Sequence, residues 1–416
     1  MTSEPKESPT PRPLVAVLYT GAATVLDDIG RAMRLAEYTH ALPSDVETVL
    51  KINISWQHYY PACSTTPWQL EGVIRTLQQN GYQNILPAQN GTVVVDSHEG
   101  EIKNKHKAVL DRYGLKSVHL TDKDVSWVPY TPKGEMLVLD KVFPEGIKIP
   151  EVLIGKSIIQ LPTLKTHVFT TMTGAMKNAF GGLLGYRRHW THSVIHETLV
   201  DLLTIQKEIH PGVFAVMDGT IAGDGPGPRA MRPHVKNLIL ASADQVAIDA
   251  VAAKLMGFDP LSLKFIRLAH ERGLGCGDPE KIEVVGMDIS GVNFGFRGDE
   301  DTFASRGQKL IYWGPLKPFE KLLLRTPIVP WSFFASNVYY NYLWYPLLGR
   351  RRVKQALQTE WGRLFQSYYG LATLPLQRKR FLDPKEPAVE VHHLSPRRHG
   401  RRRGPDGLWR LLGHLR

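Results

Sequence analysis

Short aliphatic runs recur through the first 290 residues, and most are followed by a segment with helical apolar spacing. LVAVLYT, from Leu14, is the first; Asp27 to Ala41 then places Ile29, Met33, Ala36 and Tyr38 at helical intervals. VETVLKINISW follows, with Lys51 and Asn53 at its exit. Thr65-Thr66-Pro67 predicts a helix start, a threonine cap with proline at the first position. Leu70, Val73, Ile74 and Leu77 form the apolar face of that helix and Gly81 closes it. ILPAQNGT, a helix over 105–114, SVHL and hairpin-like segments near 126–143 continue the rhythm. A buried run, Val152 to Leu161, comes next. A helix over Glu197 to Ile209 precedes VFAVMDGT, which ends at Asp218, and NLILASAD, which ends at Asp244. An alanine-rich helix from Gln245 to Met256, another from Leu263 to Arg272, and KIEVVG complete the series. Strands alternating with helices predict an α/β fold, a mostly parallel sheet with helices on both faces. Such sheets bind ligands outside the carboxyl ends of their strands. Lys51, Asn53, Lys165, Asp218 and Asp244 fall at predicted strand exits, so one crevice is expected to gather them.

The chemistry concentrates in residues 161–189, LPTLKTHVFTTMTGAMKNAFGGLLGYRRH. Lysine ammoniums and amides suit phosphate or carboxylate groups, and small residues allow close backbone approach. Lys165, His167 and Lys177 are the candidates to bind or protonate an anion, with Asn178 and Asn53 orienting it. Lys51, Thr173, Gly181, Gly225 and Gly227 complete the expected binding set. The bland alternative is a solvated loop before an amphipathic helix. The stretch is not a P-loop, for no G-x-x-x-x-G-K-[ST] occurs in it.

Other constellations point less sharply. GDGPGPR, Gly223 to Arg229, follows Asp218-Gly219; Asp218 and Asp224, with Asp244, could hold a divalent cation through oxygen ligands or act as acid and base. A plain connecting loop is the alternative. HWTHSVIHE offers His189, His192 and His196. His192 and His196 share a helix face and, with a carboxylate, could ligate zinc or iron, but a solvated helix start with incidental histidines is the preferred reading. Cys63 and Cys276 are the two cysteines. They exclude a disulfide framework and any four-cysteine cluster within one chain, so no intrinsic iron–sulfur cluster is expected.

Charge divides the chain. From Asp301 onward there are 21 Lys+Arg and 7 Asp+Glu, a net of +14, out of +11 for the whole. Residues 1–13 read as a disordered leader, 14–290 as the α/β domain, 291–394 as a helical or irregular extension rich in aromatics, and 395–416 as a basic tail. The tail is expected to meet an anionic membrane surface or nucleic acid; a disordered solubilising tail is the alternative. The polar N-terminus carries no secretory pattern, and no run reaches the roughly 20 apolar residues of a membrane span. A cytoplasmic protein, peripheral to a membrane through its tail, is the expectation.

The order of these motifs resembles the domain-of-unknown-function 362 family. The residues that carry it are Lys51 and Asn53, Thr66 and Pro67, Lys165 to His167, Thr173 to Gly181, Asp218 with Gly225 to Pro228, and Asp244 to Ala250. The resemblance spans about Leu14 to Gly286 and leaves the C-terminal part uncovered. It implies a link with iron–sulfur proteins and a redox partner, although this chain lacks the ferredoxin-like cysteine module of many relatives. The functional expectation is an enzyme acting on a small anionic substrate, metal-assisted or redox-linked. The rival is a non-catalytic ligand-binding protein that docks through its basic tail.

Overall fold

A computed structural model describes residues 12–92, 94–320, 322 and 338–369. All of these fall in one compact unit, Met1–Thr373. The second unit, Leu374–Arg416, and with it the basic tail, lies outside the described residues.

A ten-stranded sheet forms the centre. Its strands are β1 (Leu14–Tyr19), β2 (Thr48–Ile52), β3 (Ile85–Gln89), β4 (Val118–His119), β7 (Ser157–Leu161), β8 (Thr163–His167), β9 (Thr171–Met172), β10 (Val213–Asp224), β11 (Arg232–Ser242) and β12 (Glu283–Gly286). The order is β12-β1-β11-β10-β7-β2-β3-β4, with β8 on β10 and β9 on β8. The stretch from β10 to β4 is parallel throughout. The antiparallel strand β11 sits between β1 and β10. The expected hairpin is a separate pair, β5 (Trp127–Tyr130) with β6 (Ile147–Pro150).

Alternation along each strand builds the two layers, because successive side chains point to opposite faces. Val15, Val17, Val49, Ile158, Ala215 and Met217 face the helices Ile195–Ile209 and Gln245–Met256. Ala16, Leu18, Leu50, Ile159, Phe214 and Val216 face Val25–Leu35 and Pro67–Gln79. Thr66 caps the latter helix in a full capping box with Gln69, and Pro67 occupies its first turn.

Three local readings change. Lys165 and His167 sit inside a strand, β8, not in a loop after one. β10 runs twelve residues, so Asp218 lies in its middle. β11 ends at Ser242, and Asp244 is the N-cap of the next helix. Described residues after 300 pack on the body. Trp344, Trp361, Phe365 and Tyr368 join the second core layer, with Trp361 at 5.2 Å from the Trp68 ring.

Candidate functional site

Lys51 lies near the end of β2, in register with Gln160 of β7. It is buried, and its Nζ donates to the Ile52 carbonyl at 2.7 Å. Asn178 locks the pair: its Nδ2 donates to the Lys51 carbonyl and to Gln160 Oε1, both at 2.8 Å. Lys165, also buried, donates to the Cys63 carbonyl and to Thr163 Oγ1. Gly223 of β10 stands beside it, and a Cβ there would come within 3.2 Å of the Lys165 Cβ.

Lys177 is carried by the single turn Ala175–Asn178. The residue that fixes this turn comes from another helix. Asp249, in the middle of Gln245–Met256 and fully buried, accepts the N–H groups of Ala175 at 2.6 Å and Met176 at 3.1 Å. Those donors would otherwise be orphaned at a helix start. Gly174 makes room, since a Cβ there would lie 2.3 Å from the Asp249 carboxylate. Gly181 likewise admits Asn90, and Gly227 is pressed so closely on the Thr166 carbonyl that a Cβ would sit 1.9 Å from it.

These elements surround a cavity of about 290 Å³. Lys51, Lys165, Lys177, Arg188 and Arg229 line it, with His167, His189, His192, Asn53, Asn90, Thr173, Asn178, Gly181 and Gly227. Among the described residues, no Asp or Glu contributes to this lining. Buried cations without a counter-charge lose protons easily, because both desolvation and like charge disfavour the charged form. Burial, then Arg188, holds the Lys51 ammonium down to about 7. Burial, then Lys165 and Arg188, does the same for Lys177, down to about 7. Burial takes Lys165 down to about 8. Lys177 has no hydrogen-bond acceptor among the described residues; the Phe180 ring lies 5.2 Å from its Nζ. Burial, then Lys177, keeps His167 neutral. Its Nδ1 accepts the Phe169 N–H at 3.1 Å, which assigns the proton to Nε2. Burial pushes His192 down to about 3. The cleft therefore offers ammoniums, guanidiniums and neutral imidazole donors, groups whose chemistry suits an anion.

The candidate carboxylates are not in this lining. Asp218 is buried, with Oδ2 accepting from the Thr66 hydroxyl and Oδ1 accepting the Thr220 N–H at 2.6 Å. It pins β10 to the start of helix Pro67–Gln79. Asp224 pairs with Arg232 at 2.8 Å and accepts the Arg297 N–H at 2.6 Å. Six residues of strand separate these two aspartates, roughly 20 Å by the usual rise. Asp244 accepts from Val246, Ala247 and Cys276 N–H groups. Each carboxylate is used by its own neighbourhood, and they do not form one metal site. Among the described residues, no group of three or more His, Cys, Asp and Glu is placed to hold an ion. Gly225 has a positive φ of 98° beside the Arg232 guanidinium and is outside the lining. Asn53 lines the cleft but spends its Nδ2 on the Cys63 carbonyl at 3.4 Å.

Sequence reasoning missed Arg188, Arg229 and Tyr340. Arg188 follows the glycine pair and donates to the Gly91 carbonyl at 2.9 Å, so YRRH held a signal. Arg229 ends GPGPR, donates to the Ser55 carbonyl at 3.1 Å, and stands 5.2 Å from the Tyr340 ring. Tyr340 arrives from the extension, where no local pattern marked it.

Residues 48–254 match the model of a family described as Domain of unknown function (DUF362). Over 131 residues the chain is 31% identical to the Thylakoid-associated protein sll1697 of Synechocystis sp.. That match covers 30% of this chain and 40% of the relative, so the chain spans about two-fifths of the curated protein it matches. No solved structure matches the chain. Through residues 48–254, the segment that supplies all five cations of the cleft, the chain belongs to the DUF362 family.

Proposed function

We propose that the cleft binds a small dianion, a phosphate or a dicarboxylate, and that its lysines exchange protons with the bound group. The observation that carries this is a lining with five cationic side chains and, among the described residues, no carboxylate. Lys51, Lys165 and Lys177 supply charge, His167 supplies a neutral N–H, and Arg188 and Arg229 close the ring. Groups that titrate near neutrality are suited to general acid–base work. That favours an enzyme over a passive receptor, with Lys177 as the proton carrier because no acceptor among the described residues occupies it.

The pH dependence has a definite sign. An anion favours the charged lysines, so their bound pKa values rise above the free values of about 7 and about 8. The complex then holds more protons than the free protein from about pH 7 upward. Affinity for inorganic phosphate should be greatest near pH 7 and fall steadily toward pH 10, measured by calorimetric titration. Flat affinity across that window, or no binding of phosphate or succinate at all, would refute the reading.

Among the described residues no helix is long and apolar enough to cross a membrane. The relative whose name places it at thylakoids supports an association of this chain with a membrane surface.

A further inference from the structure

The C-terminal extension does two things at once. Its helix Phe303–Tyr312 sends Ser305 and Gln308 into the cleft lining. The same helix exposes Phe303 (86%), Arg306, Leu310 (48%) and, just beyond it, Trp313 (42%). Their spacing of three, four and three residues puts them on one face. The pattern repeats further on. Tyr340 lines the cleft, while Tyr342, Leu343, Leu347 and Leu348 are exposed. Leu316 and Phe319 add to the apolar surface.

The apolar surface is continuous with the cleft wall. Phe169 lines the cleft and lies 5.7 Å from Tyr312 and 5.8 Å from Trp313, ring to ring. His192, another lining residue, stacks on Tyr312 at 5.7 Å. An aromatic path thus runs from among the cations to the exposed stripe. The surface is also basic. The described residues of 303–354 carry seven Lys or Arg against Glu320 alone. Lys309 is spent on Asp301 at 2.8 Å, whereas Arg306, Lys317, Arg350 and Arg351 are exposed. Exposed apolar side chains interleaved with arginine are what an interfacial element presents to an anionic bilayer, and apolar surface of this kind marks an interaction site.

We propose that the anion enters this cleft as the phosphate headgroup of a lipid, its hydrocarbon leaving along the Phe169–Tyr312–Trp313 path to a bilayer met by the extension. This rests on the anion-binding reading and names its ligand. A polar free metabolite would use the cations but not the apolar rim; a lipid phosphate uses both.

The test compares inorganic phosphate with octyl phosphate, below its micellar range, on the full-length protein by calorimetry. Octyl phosphate should bind at least about tenfold tighter, a gain that burial of two methylenes is enough to provide. The double variant Leu310→Gln, Trp313→Gln, which removes the outer end of that path and its exposed neighbour, should cancel that gain and leave inorganic phosphate unchanged. Both side chains are exposed, so the fold should persist, and circular dichroism checks it. In flotation with phosphatidylcholine vesicles containing phosphatidic acid, wild type should still bind at 1 M salt, where the Debye length falls to about 3 Å and arginine attraction is screened. The double variant should not. Equal affinity for the two phosphates, or an octyl gain that survives in the variant, overturns the lipid proposal while the anion site stands. Failure of both phosphates to bind overturns the anion site and the lipid proposal together.

Discussion

Replacing Lys177 by methionine is expected to weaken inorganic phosphate binding about 100-fold, which is about 2.7 kcal/mol, and to stabilise the empty protein. The first effect follows from placement. Lys177 faces the cavity with no acceptor among the described residues, so its ammonium is the one most available to an anion. Removing one partner of a desolvated charge pair costs about 2–5 kcal/mol. The second effect follows from burial without a counter-charge. In the folded protein Lys177 titrates at about 7, below its ordinary value of 10.5. The unfolded chain therefore holds the proton more tightly, and the charged form penalises folding fully below pH 7. The penalty fades as pH rises toward 10.5. The variant's gain in thermal midpoint should then be largest at pH 6 to 7, by about the free pKa, and vanish near pH 10. A variant that binds phosphate normally, or is less stable at every pH, contradicts this placement.

Asp249→Ala is expected to lower stability by about 3 kcal/mol or more and to abolish phosphate binding. Two buried N–H groups lose their acceptor, each loss costing about 1–3 kcal/mol. The turn they start carries Lys177. Burial pushes the Asp249 carboxyl up to about 8 against those two N–H groups. It is mostly protonated at neutral pH, so Asp249→Asn should be the milder change: one oxygen is kept, and the amide meets the second N–H donor to donor. The raised value also has a sign. The folded state keeps a proton that the unfolded chain releases, so this group's contribution to stability declines from about pH 4 to about pH 8. Gly174→Ala should reproduce the loss from the other side, by driving a methyl into the carboxylate. Denaturant unfolding and calorimetry read both effects. Full phosphate affinity in Asp249→Ala would show that the turn holds its place without the aspartate.

Much of the fold was legible because its strands and helices are strongly patterned. Thr66-Pro67 starts its helix as expected, Gln245–Met256 matches its residue limits, and β1, β2, β3 and β12 lie where aliphatic runs put them. β8 was not legible, since TLKTH is polar; a strand packed with lysine and threonine looks like a loop until its partners are known. The aspartates misled for a related reason. Asp218, Asp224 and Asp244 look like ligands in sequence, yet a buried carboxylate that caps a helix or pins a strand has the same local signature. Asp249 went unassigned because its role depends on a turn 74 residues away. Arg229 and Tyr340 reach the cleft only through tertiary contacts, which no periodicity announces.

The most direct test of the central claim is the number of protons taken up when the cleft fills. Phosphate is mostly a dianion at pH 8, so titration in two buffers of different ionisation enthalpy reports the protein's own uptake. With Lys51 and Lys177 free at about 7 and Lys165 at about 8, the account predicts uptake of about one to two protons per phosphate, by linkage of binding to those lysines, falling by close to one in Lys177→Met. Binding with no proton uptake, or uptake unchanged in that variant, would contradict it.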